Sequence, residues 1–219
     1  MKELVIFDVD NTIVNGQSQQ LFLNFLYRKH YISFVYYIRI MTWFVFYKLG
    51  FVLDPLPVIE YAFLFSKGKK IADIEYMVDE FFEKVLKFKI YPESISIIKK
   101  HQDEGREVIL VSNAIGFLVH KVATYLNITT YFSTKLEIVD GVCTGKIVGG
   151  IMYSEQKLNA ARQYSKLKNM SLNNSWSYAD DGTDVYLMSH TAHPYAVNPN
   201  KKLKKVANIR GWPVLNFKL

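Results

Sequence analysis

Two aspartates close an apolar run near the start of the chain. The segment VIFDVDNTIV carries Asp8 and Asp10 two residues apart, with Thr12 just beyond. One carboxylate so placed can attack phosphorus as a nucleophile. Its neighbour can protonate the leaving oxygen and later activate water. A calcium-binding EF-hand loop fits poorly, because it wants Asp or Asn and then Gly where Thr12 and Ile13 stand. A second run, VILVSNA, ends on Ser112. A hydroxyl there, with the backbone N–H groups of Asn113 and Ala114 opening a helix, would cradle phosphate oxygens; taken alone, Ser112 reads more readily as an ordinary helix cap. In SEQKLNAA, Lys157 stands near the start of a helix and could neutralise a transferring phosphoryl group, although a lone lysine is usually solvated. The fourth segment, SYADDGTDVYLM, holds Asp180, Asp181 and Asp184. Asp180 and Asp184 share a face if a helix begins there. Asp8, Asp180 and the Asp10 carbonyl would form a hard-oxygen site for Mg²⁺. That cation and Lys157 would offset the repulsion between the carboxylates and a phosphate anion.

These side chains need a scaffold that brings four distant segments together. ELVIF (3–7) and EVILV (107–111) read as strands buried on both faces of a parallel sheet. WSYA (176–179), YAV (195–197) and PVLNF (213–217) are further strand candidates, and LEIVDGVCTGKIVGG (136–150) alternates around Asp-Gly like a β-hairpin. Amphipathic helices are expected over Pro92–Glu104, Ile115–Leu126, Ser154–Leu167 and Asn200–Ile209. Strand, loop and helix in alternation imply an α/β sheet with right-handed crossovers, in which ligands bind beyond the carboxyl ends of the strands. The interval 17–90 breaks the alternation. It reads as helical, interrupted at DPLP (54–57) and SKGKK (66–70). We expect residues 1–16 and 91–219 to form the core and 17–90 an inserted helical cap.

Composition narrows the class. With 219 residues, half of them hydrophobic, the chain can bury a large core, which excludes wholesale disorder. A net charge of +7 favours an anionic partner, such as a phosphorylated metabolite or an acidic lipid. KKLKK (201–205) reads as a solvated helix face; no nucleic-acid motif accompanies it, so no nucleic-acid partner is expected. One cysteine, Cys143, and an apolar N-terminal run cut short by Asp8 and Asp10 fit a reducing, cytoplasmic setting better than secretion. His190 and His193 have no ligand pattern around them and read as structural. The stretch Ile32–Leu53 is dense in aromatics, but the uncharged run between Arg39 and Lys48 is eight residues, far below the ~20 of a spanning helix. It reads as a cap core, a homodimer face, a lining for a lipid-like substrate, or a helix lying on anionic lipid through Trp43, its aromatics and nearby cations.

The order DxDxT, Ser, Lys, DxxxD, each motif at a strand end or helix start, resembles the haloacid dehalogenase (HAD) superfamily. The helical interval after the first motif resembles the capped, phosphoserine-phosphatase-like branch. The likeness also runs through IVDGVCTGKIVG and AVNPNKKLKKVANIRGWPVL, in all about two-thirds of the chain. It implies a Rossmann-like core and a Mg²⁺-dependent phosphatase. In that reading Asp8 is the phosphoryl acceptor and a metal ligand. Asp10 is the general acid/base and binds metal through its carbonyl. Thr12 supports the loop, Ser112, Asn113 and Lys157 hold phosphoryl oxygens, Asp180 ligates metal, and Asp184 orients its shell. An acid at Asp10 argues for phosphate over a carbon–halogen bond. Where phosphoserine phosphatases carry a glutamate for the substrate ammonium, this chain has the uncharged Gln17, and Asp181 and Thr183 stand where the branch usually has small residues and Asn. The alternatives are a membrane-associated lipid phosphate phosphatase, a phosphotransferase that uses an alcohol instead of water, a phosphoserine phosphatase, or a non-catalytic membrane-attached module.

Overall fold

The computed structural model describes residues 2–49, 51, 54 and 56–219, and nothing is stated for the side chains of Tyr47 and Lys48. The end of the aromatic stretch at Gly50, Val52 and Leu53, and Pro55 of DPLP, lie outside the described residues, as does the expected cationic side chain of Lys48.

The strands are β1 (Leu4–Phe7), β2 (Glu107–Ile115), β3 (Thr130–Val139), β4 (Val142–Val148), β5 (Trp176–Ala179), β6 (His193–Val197) and β7 (Val214–Leu215). They form one sheet in the order β4-β3-β2-β1-β5-β6-β7, parallel except for the β3–β4 hairpin. The hairpin turns at Asp140 and Gly141, both at positive φ (51° and 76°), the backbone that lets a two-residue loop follow the strand twist. β1 is central, with β2 on one side and β5 on the other. The connection order reverses beside it, and that is where an open α/β sheet opens a crevice.

β1 is buried throughout because it is covered on both faces. Val5 and Phe7 face a cluster containing Ile98 of α5 (Pro92–Asp103) and Leu118 and Val122 of α6 (Gly116–Tyr125). Leu4 and Ile6 face Leu158, Ala161 and Tyr164 of α7 (Glu155–Leu167). The alternation follows from the two-residue period of a strand. Phe7, Tyr178 and Tyr195 stack in register across β1, β5 and β6, with ring centroids 4.2 and 4.9 Å apart.

Between β1 and α5 come α1 (Ser18–Arg28), α2 (Phe34–Lys48), α3 (Leu56–Phe63) and α4 (Ile71–Lys84). The chain departs and returns at one place. Tyr91 N–H donates to the Ile13 carbonyl (2.9 Å) and Asn15 N–H to that of Lys89 (2.7 Å). Farther along come α8 (Val185–Met188) and α9 (Lys201–Arg210), the latter with Lys201, Lys202, Lys204 and Lys205 exposed as a solvated face.

One expected boundary is corrected. β2 does not stop at Val111; it continues through a register shift to Ile115, which pairs with Thr134. The physical reason is burial: Ala114 and Ile115 are almost wholly inaccessible, so the chain stays extended to keep them in the core. Asn113 and Ala114 therefore lie in a strand, and the helix opens only at Gly116.

Candidate active site

The loop after β1 turns sharply. The amides of Ile13 and Val14 both donate to the Val9 carbonyl (2.8 and 3.0 Å), and Asn11 takes the left-handed conformation (φ 55°) that asparagine tolerates better than most residues. The turn holds Asp8 and Asp10 on the same side of the sheet edge, both lining one cavity of about 330 Å³. Asp10 Oδ1 accepts the Ser18 N–H at the start of α1 (3.0 Å). Burial pushes the Asp10 carboxyl up to about 6, against the Ser18 hydrogen bond, so this acid can hold or release a proton near neutral pH. Thr12 is fully buried beneath the loop.

Lys157 reaches the same point from the first turn of α7. Its Nζ lies 3.1 Å from Asp8 Oδ1 and 2.7 Å from Asp184 Oδ1. Lysine is almost never this buried (2% exposed) unless paired. Burial works against its charge, but Asp184 and Asp8 outweigh it and hold the ammonium protonated. Ser154, three residues upstream, sits at φ 49°, a strained position of the kind found beside functional groups.

The loop after β5 brings the remaining acids. Carboxylate oxygens of Asp8, Asp180 and Asp184 all lie within 4.8 Å of one another, and all three residues are buried. Burial, then repulsion from Asp8, raises Asp180 to about 9; burial raises Asp184 to about 7 despite Lys157. Asp8 Oδ1 and both Asp184 oxygens lack a hydrogen bond of good geometry. Buried carboxylate oxygens left in that state are costly, and a hard cation with oxygen preference is the partner they fit. One ammonium among four buried acids leaves the cluster short of positive charge. Asp8 and Asp180 are thus brought together, with Asp184 beside them as a third candidate ligand.

Two expected residues sit differently. Ser112 is fully buried, and its Oγ accepts the Ala114 N–H (3.2 Å). Asn113 lines the cavity, but its carbonyl is taken by Thr134 Oγ1 (2.8 Å) and Gln19 Nε2 (3.4 Å). The Ala114 amide is thus taken by Ser112 Oγ, and both Asn113 and Ala114 lie in β2 and not at a helix start. Gln17 lines the cavity as expected. Asp181 caps the turn after β5: it accepts from Thr183 N–H (2.8 Å) and from Asn200 Nδ2 (2.6 Å). His193 stacks on Trp176, His190 bonds the Tyr186 carbonyl, and Cys143 is packed in the core.

The structure adds residues that sequence reasoning passed over. Asn11 Nδ2 donates to Asp180 Oδ2 (3.1 Å), tying the first acidic loop to the last. Its signal was present, since asparagine at the apex of a tight turn favours positive φ. Phe44, from the aromatic stretch read as a candidate substrate lining, joins Val58 and Ile59 in an apolar wall brought from the helices between β1 and β2; nothing in the local sequence marked Val58 and Ile59.

The sequence pattern of the haloacid dehalogenase-like hydrolase family matches residues 5–189. The chain belongs to that family. Among HAD relatives, it is 28% identical over 220 residues to phosphoserine phosphatase SerB1 of Mycobacterium tuberculosis, covering 97% of this chain and 70% of that protein. It is 29% identical to the histidinol-phosphatase of Neisseria meningitidis serogroup C over the whole of both chains. A crystal structure of a protein of unknown function from Bordetella pertussis shares the fold, with a TM-score of 0.89 over 98% of each chain at 22% identity. The chain is a HAD-type phosphatase, a phosphoric monoester hydrolase.

Proposed function

We propose that this phosphatase is Mg²⁺-dependent and works through an aspartyl-phosphate on Asp8. The observation that carries the reading is the convergence on Asp8 of one buried ammonium, 3.1 Å away, and two further buried carboxylates, Asp180 and Asp184, the latter with an Oδ2 that has no hydrogen-bond partner. Asp8, Asp180 and Asp184, with the Asp10 carbonyl, would hold the metal. When bound, it would withdraw charge from the phosphoryl oxygens and permit an anion to approach this acidic site.

The chain's own groups then do the following. Lys157 draws a phosphoryl oxygen toward Asp8. An Asp8 oxygen bonds phosphorus as the bond to the leaving oxygen breaks, and protonated Asp10 supplies the proton that leaves with the alcohol. Asp10, now ionised, takes a proton from water as that water attacks phosphorus, and Asp8 is released with inorganic phosphate. A carboxyl pushed up to about 6 suits both directions of transfer. Ser112 orders the end of β2 that carries Asn113 to the cavity, through its bond to Ala114 N–H.

Residues 17–90 act in this reading as a cap that selects the leaving group, supported by the apolar wall of Phe44, Val58 and Ile59 over the acids. The substrate is a small phosphorylated metabolite or a phosphorylated lipid headgroup. Gln17 in the cavity has no charge to set against a substrate ammonium, which disfavours phosphoserine itself. A buried lone thiol at Cys143 fits a reducing, cytoplasmic setting. The test is a panel of phosphomonoesters, with and without an apolar chain, assayed with Mg²⁺ and with EDTA. Phosphate release that needs Mg²⁺ and favours the chain-bearing members supports the reading. Equal rates in EDTA end it, and transfer to an added alcohol in place of water redefines the enzyme as a phosphotransferase.

A further inference from the structure

Helix α2 presents apolar side chains to solvent over half its circumference. Phe34, Val35, Ile38, Trp43, Val45 and Phe46 are each 43–60% exposed, and Leu49 just beyond the helix is 64% exposed. Projected at 100° per residue, they fall on one arc with only Arg39 and Thr42 among them. The opposite arc, with Ile40 buried and Phe44 at the cavity, is the one that packs on the protein. A contiguous apolar face of this kind marks an interaction surface.

Charge says what covers it. From Gln17 to Leu53 the sequence has Arg28, Lys29, Arg39 and Lys48 and not one Asp or Glu. Lys29 is paired with Glu80, but Arg28 and Arg39 are exposed and form no ion pair among the described residues. A second copy of the same face would set these cations against their own images. An anionic bilayer offers both partners at once: acyl chains for the aromatics and headgroup charge for the arginines. No helix among the described residues is long and apolar enough to cross a membrane, so the contact is one of lying on the surface.

We propose that α2 docks this protein on the surface of an anionic lipid bilayer, with its exposed arc in the headgroup region. Phe44, on the opposite arc of the same helix, lines the cavity, so α2 joins the docked face to the wall of that cavity. The docking itself does not depend on the phosphatase mechanism above.

The test uses the whole chain in vesicle co-sedimentation, with phosphatidylcholine alone and with about one-third phosphatidylglycerol added. The wild type should pellet with the anionic vesicles, less so as salt rises, and remain in solution with phosphatidylcholine. The pair Trp43→Ser/Phe46→Ser should lower binding about tenfold or more, and Arg39→Glu should lower it and flatten the salt dependence. Both variants should keep the circular dichroism spectrum and the rate on a small chromogenic phosphomonoester, which separates loss of docking from loss of fold or chemistry. Wild-type protein that stays in solution with anionic vesicles overturns the proposal. So does undiminished binding by the double variant, or a concentration-dependent dimer that the double variant abolishes, which would assign the face to a second copy.

Discussion

The crevice at the carboxyl end of β1 and the outer arc of α2 are opposite solutions to placing side chains against their nature. In the crevice, charged groups are buried: Asp8, Asp10, Asp180, Asp184 and Lys157 are each 8% exposed or less. On α2, aromatics are exposed. The first arrangement is held by specific bonds, Ser18 to Asp10, Asn11 to Asp180 and Lys157 to two acids. The second is held largely from behind, through Ile40, the Tyr37 hydroxyl, which donates to Asn24 Oδ1, and the hydroxyl of Tyr36, which donates to the Tyr61 carbonyl and accepts from Phe65 N–H. Each region departs from the rule of apolar inside and polar outside. Such departures mark where a molecule meets something else, on the readings proposed above a phosphoryl group with its metal in one case and a lipid surface in the other.

The sharpest way to break this contrast is to remove single groups from the crevice. Asp8→Asn keeps the size and loses the nucleophile; turnover should fall on the order of 10⁴-fold or more, and rapid-quench labelling with a radioactive phosphomonoester should show no acid-stable phosphoenzyme. Lys157→Met should slow turnover about 10²–10³-fold and also destabilise the fold, by about 3–5 kcal/mol, because it leaves buried carboxylates without their cation; urea denaturation in EDTA measures that loss.

Metal and pH probe the same cluster more gently. Folded Asp180 and Asp184 stand at about 9 and about 7, above the unfolded value of about 4, so the folded state binds more protons. In EDTA, stability should be greatest at low pH in this respect and decline as pH rises from about 4 through 7 to 9. Saturating Mg²⁺ should raise Tm and flatten that slope. A metal-free slope of the opposite sign would show that the acids are not held together as described. On the other side of the contrast, Tyr36→Phe should cost about 1 kcal/mol and leave kcat on a small substrate unchanged, read by thermal melting and a rate assay.

Much of the crevice was legible because its chemistry is local in sequence. An apolar run followed by Asp-x-Asp, or by Asp-x-x-x-Asp, states both a strand and what hangs from its end. The strand ends were less so. Val111 looked like the end of β2 since Ser112 and Asn113 are polar, yet the burial of Ala114 and Ile115 carries the strand past them. No property of Ser112 alone distinguishes a free hydroxyl from one that caps Ala114 N–H. Asp181 was unreadable for a related reason, its partner Asn200 lying at the start of another helix. The aromatic stretch was legible as helix but not as to which residues face water. Its low amphipathicity, apolar on both arcs, gives periodicity nothing to report.

The backbone junction where Ile13 meets Tyr91 and Asn15 meets Lys89 has its own consequence. A chain that rejoins itself there can make a longer or shorter excursion at small entropic cost, about 0.6 kcal/mol for each doubling of length, while β1 and β2 keep their register. The same acids can therefore sit beneath excursions of very different size and texture, so that what the enzyme meets can change without disturbing what it does.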